Sequence, residues 1–129
     1  MNLNTDIKEE KKREEVNKYI DFLRYQKNYS DYTILSYKND IEEFFSYLER
    51  ESLSFLDINY DDLRFYLMYL KEEKNDSNSS IDRKLSGLRG FYKFLANEGI
   101  VSKNVFSLVN GPKKEKKLPR YFEYNELEE

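Results

Sequence analysis

Residues 78–112 read NSSIDRKLSGLRGFYKFLANEGIVSKNVFSLVNGP, and the fold follows from this stretch. It opens on Asn78, Ser79 and Ser80, any of which can cap a helix by accepting an unpaired N–H of the first turn. It runs to about Asn97 without proline and then meets Gly99, which takes left-handed backbone at a helix end without steric cost. With Ile81 at zero and about 100° per residue, Leu85, Leu88, Tyr92 and Leu95 fall within about 40° of it and form a core face. Ser79, Asp82, Arg83, Ser86, Gly90 and Lys93 lie at about 100–200°, with Arg89 at the border. A short helix over 104–109 follows, and Gly111-Pro112 ends regular structure.

Working outward, proline occurs only at 112 and 119 and glycine only at 87, 90, 99 and 111, so nothing upstream interrupts helices of ordinary length. The pattern predicts an all-α domain. Val16, Tyr19, Ile20 and Leu23 recur at helical spacing in a first helix over about 8–27, which Asn28-Tyr29-Ser30 breaks. Ser30 is the expected N-cap of a second helix, on which Ile34, Tyr37, Ile41, Phe44, Phe45 and Leu48 form one apolar face. The connector 51–60 carries Leu53, Phe55, Leu56 and Ile58 and is expected to pack on the bundle. A third helix starts near Asn59–Asp62, turns Leu63, Tyr66, Leu67 and Leu70 inward, and ends in the polar run 74–80.

Composition narrows the function. A chain of 129 residues fits one domain, and its 12 Tyr and 9 Phe point to an aromatic core. Neither cysteine nor histidine occurs, which removes disulfides, thiolate metal sites and the usual proton shuttles and nucleophile–base pairs. Catalysis by this chain, a metal site and a small-molecule substrate are therefore not expected. No apolar run reaches the roughly 18 residues of a membrane span and the first residues lack a signal-peptide core, so the expected location is cytoplasmic.

Net charge is −3, but it is unevenly spread. Residues 1–77 carry twelve Lys/Arg against eighteen Asp/Glu, whereas residues 78–121 carry ten against three. Positive charge gathered in one third of a chain suggests a localised polyanion site. On the outer face of the fourth helix, Ser79, Ser86 and Gly90 permit close approach, while Arg83 and Lys93 supply donors for guanine or phosphate, with Arg89 at the border and Lys84 as further candidates. The same face also suits plain solvation. Gly87 and Gly90 each cost about 0.5–1 kcal/mol in a helix relative to alanine, and close approach of either another helix or DNA would offset that. At the start of the second helix, Tyr32, Thr33 and Ser36 can contact DNA or only solvate. Lys113, Lys114, Lys116 and Lys117 read as a basic linker that can track a phosphate backbone.

Three ordered segments carry a family resemblance. They are Tyr29-Ser30-x-x-Thr33-x-x-x-Tyr37-x-x-Asp40 running into Phe44 and Leu48; Leu63-x-x-Tyr66-Leu67; and Ser80-Ile81-x-Arg83-Lys84-Leu85-Ser86-x-Leu88-Arg89-x-Phe91-Tyr92-x-Phe94-Leu95 with Glu98-Gly99, Asn104, Gly111-Pro112-Lys113 and Leu118-Pro119. Together they resemble the core-binding domain of tyrosine recombinases, particularly of the Xer type, also called the phage-integrase N-terminal SAM-like domain. Asn104-Val105 departs from the Asn-Pro frequent in relatives, and the acidic first half is also atypical.

The resemblance implies a four- to five-helix orthogonal bundle that grips one side of double-stranded DNA through its second and fourth helices. A separate catalytic domain would grip the other side and exchange strands through a 3′-phosphotyrosyl intermediate, without metal or nucleotide cofactor. Residues 1–112 are then the DNA-binding domain, and 113–129 the linker and the start of a catalytic domain. Other protomers in a synaptic tetramer are the implied protein partners. The alternative is a helical protein-interaction module with no DNA.

Overall fold

A computed structural model describes residues 3–109, with side chains from residue 9 onward. Helix α1 spans Leu3–Asp21 and continues through a π turn, Phe22–Gln26. Helix α2 spans Asp31–Arg50, α3 Tyr60–Met68 with a second π turn at Tyr69–Glu73, α4 Asn78–Asn97, and a 3₁₀ turn covers Val105–Leu108. The described residues hold no strand, so the all-α expectation stands. The expected stop at Gly111-Pro112 and everything after it lie outside the described residues.

Helix starts follow side-chain chemistry. The Ser30 hydroxyl accepts the Thr33 N–H at 3.2 Å, as expected for the cap of α2. Asn59 and Asp62 exchange reciprocal bonds at the start of α3, at 2.9 and 3.0 Å, which satisfies two otherwise unpaired donors. The cap of α4 is Ser77, whose hydroxyl accepts the Ser80 N–H at 3.1 Å, one residue earlier than the three expected candidates.

Helix ends share one device. Asn28, Ser52, Asn75 and Gly99 all adopt positive φ, and the next residue's N–H returns to a carbonyl of the last turn. Tyr29 reaches Leu23 at 3.0 Å, Leu53 reaches Leu48 at 2.8 Å, Asp76 reaches Leu70 at 2.9 Å and Ile100 reaches Leu95 at 2.9 Å. Carbonyls left unpaired at each terminus are thereby satisfied while the chain reverses.

The apolar faces converge on α4. Ile81, Leu85, Leu88, Tyr92 and Leu95 are all buried, and so are Gly87 and Phe91 on its flanks, because α4 packs against both α1 and α2. At the centre Phe44 meets Tyr66 edge-on at 4.8 Å, Phe106 at 5.6 Å and Tyr92 at 6.3 Å. Nine of the 23 buried apolar side chains among the described residues are Phe or Tyr. The centre is therefore aromatic, while aliphatic residues outnumber rings around it. The Tyr92 hydroxyl donates to the Phe55 carbonyl at 2.6 Å, which ties the 51–59 connector to α4. Within that connector Phe55 is buried and Leu53 and Ile58 partly so, but Leu56 faces outward, contrary to expectation. Phe55 and Leu56 are the central residues of a turn closed by the bond from the Asp57 N–H to the Ser54 carbonyl at 3.1 Å, so their side chains leave the backbone in different directions.

Candidate nucleic-acid interface

Two helices build the candidate surface. Along α2, Tyr32 is 81% exposed, and Thr33 and Ser36 are half-buried at the helix start. Along α4, Ser79, Arg83, Ser86 and Lys93 are exposed on the face opposite the core. The helices lie close enough that a Cβ on Gly87 would stand 3.0 Å from the Tyr37 ring. The Ser86–Lys93 part of the α4 face and the α2 side thus form one continuous surface.

A groove of about 200 Å³ runs along it, lined by Lys27, Tyr29, Tyr37, Ser86, Lys93 and Asn97 among others. Lys27 and Asn97 were not among the sequence candidates. Lys27 sits three residues before the α2 cap, so its nearness to that cap along the chain was the available signal. Burial, followed by the charges of Tyr29 and Asp40, raises the Tyr37 pKa above its ordinary value despite Arg83, so its hydroxyl stays neutral.

Arg83 is gripped by Asp40. Its Nε donates to Oδ2 at 3.1 Å and its Nη2 to Oδ1 at 2.9 Å, joining α4 to α2. The Asp40 side chain is only 5% exposed, whereas half of Arg83 remains open. Such a bidentate charge-assisted pair fixes orientation as well as adding energy.

Two expected contacts are placed elsewhere. Lys84 is buried, with its ammonium 2.6 Å from Asp76 and 2.7 Å from Glu43. Burial alone would lower its pKa, but the bonds to Asp76 and Glu43 outweigh that and raise it, so the group stays charged. An ammonium already held by two carboxylates is not on the outer face, and Lys84 leaves the candidate set. Arg89 is also turned away: its Nη2 donates to the Val109 carbonyl at 2.9 Å and its Nε to that of Phe106 at 3.4 Å, clamping the 3₁₀ turn. Asn104 completes the clamp through a 3.2 Å bond to the Arg89 carbonyl and a 3.1 Å cap on the Phe106 N–H. Lys113, Lys114, Lys116 and Lys117 lie outside the described residues.

The surface therefore offers a half-exposed guanidinium and small hydroxyls, and a groove that sets two lysines and a neutral tyrosine beside the apolar side chains of Phe22, Leu23 and Phe94. These groups can bind an extended anion and donate to base edges. Among the described residues no cluster of acids could hold a metal ion, and no helix is long and apolar enough to cross a membrane.

Comparison with known proteins agrees with the resemblance. The family model described as phage integrase, N-terminal SAM-like domain, matches residues 16–99. The chain is 49% identical over 115 residues to tyrosine recombinase XerC of Anoxybacillus flavithermus, covering 88% of this chain and 38% of that protein. It is 41% identical over 112 residues to tyrosine recombinase XerC of Bacillus subtilis, covering 86% and 36%. For tyrosine recombinase XerC of Leptospira interrogans the identity is 40% over 116 residues, covering 90% and 37%. The chain thus spans somewhat over a third of the length of the curated relatives it matches. No solved structure matches.

Proposed function

The chain belongs to the phage integrase N-terminal SAM-like domain family, and on that premise we propose that it is the DNA-binding part of a site-specific tyrosine recombinase. The observation that carries the reading is the shared outer surface of α2 and α4, with Arg83, Lys27 and Lys93 set among small polar residues. The start of α2 and the outer face of α4 enter adjacent major-groove surface, which at about 12 Å admits a helix. Tyr32, Thr33, Ser36, Ser79 and Ser86 make close contacts there, and Lys27 and Lys93 neutralise phosphates. The linker lysines 113, 114, 116 and 117 extend the phosphate track.

Strand cleavage and rejoining belong to the part of the relatives that this chain does not cover. The chain positions; it does not cut. Its partners are duplex DNA and further recombinase protomers. Salt dependence tests the reading: duplex affinity, measured by fluorescence anisotropy, falls steeply between about 50 and 200 mM salt through counterion release. No duplex binding at the lower salt would sink it. A covalent complex between the chain and a suicide DNA substrate would refute the division of labour.

A second reading, a helical protein-interaction module, is favoured by exposed Phe65, Met68 and Tyr60 on α3. Binding to a protein through those side chains responds weakly to salt, so the same titration separates the two.

A further inference from the structure

We propose that Asp40 is a positioning residue that makes Arg83 a reader of guanine. The inference rests on the DNA-binding reading above and deepens it by separating the groups that read sequence from those that hold the backbone.

A guanidinium has five N–H donors in a rigid fork. Asp40 takes the side edge, one hydrogen of Nε and one of Nη2. The end edge is left intact, with one hydrogen remaining on Nη2 and two on Nη1. That edge still offers two parallel donors, which match the O6 and N7 acceptors of guanine in the major groove. The carboxylate is buried and the arginine half exposed, so the fork is held along its side edge while Asp40 leaves the end edge unused. Tyr37, one turn before Asp40, packs on Gly87, one turn after Arg83, and this holds the two helices at fixed separation.

Charge decides between base and phosphate. A free arginine is drawn to phosphate by its full positive charge. Paired with Asp40, Arg83 has little net charge to offer, and the carboxylate repels an approaching phosphate oxygen. Guanine O6 and N7 are uncharged acceptors, so the pairing leaves their hydrogen bonds favourable. Ser79 and Ser86, one turn to either side on α4, are small enough for the helix to sit deep. Lys27 and Lys93 in the groove supply the phosphate contacts instead.

The test uses the 129-residue chain. A preferred duplex is selected from a randomised pool at low salt, and affinities are then measured for that duplex, its single-base-pair variants and an unrelated duplex. The wild type disfavours replacement of one G·C pair by roughly 10-fold or more. Arg83→Lys, which keeps the charge and loses the fork, abolishes discrimination at that pair alone. Asp40→Ala reduces discrimination at the same pair and also steepens the salt slope on unrelated DNA by about 0.9, because a freed arginine becomes a phosphate contact. A merely structural Asp40 would lower all affinities together and leave the slope unchanged. Asp40→Asn carries the same expectation in weaker form if the alanine variant does not fold.

The inference is overturned if Arg83→Lys weakens every duplex equally, if no G·C pair is preferred, or if Arg83→Ala lowers the wild-type slope by about one unit. Failure of the wild type to bind any duplex is a different result, which overturns the DNA-binding reading and this inference with it.

Discussion

A Cβ placed on Gly90 would stand 2.5 Å from the Tyr19 hydroxyl oxygen but 3.7 Å from the ring carbon that bears it. The first distance is a clash and the second an ordinary contact, so one oxygen atom requires the glycine. Tyr19 is 2% exposed and packed against Phe91 and Phe94 at 5.4 and 5.5 Å, which restrains its ring.

Gly90→Ala is therefore expected to destabilise the chain by about 1–3 kcal/mol, as overpacking does. In a Tyr19→Phe background the same change becomes neutral or stabilising by up to about 1 kcal/mol, since alanine is the better helix former. Denaturant unfolding of the four-member cycle measures the coupling. Equal effects of Gly90→Ala in both backgrounds would remove this explanation of the glycine.

Lys84→Met leaves Glu43 and Asp76 facing each other with their buried partner gone. The expected loss is on the order of 2 kcal/mol, because two partly buried carboxylates lose the charged donor from which both accept. Lys74, 3.0 Å from Glu43, moderates the penalty on that side. DNA affinity per folded molecule should be unchanged, a result that separates Lys84 from the exposed lysines. A specific loss of affinity with stability intact would return Lys84 to the interface.

Lys93→Ala should weaken binding to all duplexes alike and reduce the magnitude of the salt slope by about 0.9. Titrations at several salt concentrations on two unrelated sequences check it. Loss of binding to one sequence only would contradict a phosphate role.

Alkaline pH should unfold the protein. Burial raises the pKa of Tyr19, Tyr66 and Tyr92 above the ordinary value of 10.0, and the carboxylate partners of Lys84 raise its pKa above 10.5. Above those unfolded values the unfolded chain releases protons that the folded chain retains. Stability is thus complete below about pH 10 and falls above it, by up to about 1.4 kcal/mol per pH unit for each such group. Thermal melts across pH 8–11 report the slope, and a melting temperature constant to pH 11 would contradict it.

Much of the fold was legible along the chain. Helical spacing marked every core residue of α4 that was named, because one face of a helix must repeat near 3.6 residues to stay out of water. Ser30 and Gly99 announced a start and a stop through local backbone chemistry alone. Lys84 departs from the DNA-contact expectation for a reason that the same geometry contains: three residues from Ile81 places it about 60° from the core centre, on the inner side. Its charge concealed its position, and only the carboxylates of Glu43 and Asp76, 41 and 8 residues away along the chain, explain how an ammonium can be buried there.

The sequence by itself determined the all-α class, the helix limits to within a few residues except at the start of α1, which begins at Leu3 and not near residue 8, the partition of charge and the family, since each depends on neighbours along the chain or on ordered motifs. Tertiary structure decided which cations face outward. Arg83 is held at the surface by Asp40, Arg89 is spent on the carbonyls of Phe106 and Val109, and Lys84 is sealed inside. It also resolved the two glycines of α4, whose close neighbours are Tyr37 and Tyr19. The physical reason is common to all of these: hydrogen bonds, ion pairs and steric contacts act over a few ångströms in space, and the partners that satisfy a charged or missing side chain lie on other segments of the chain, at separations no local pattern records.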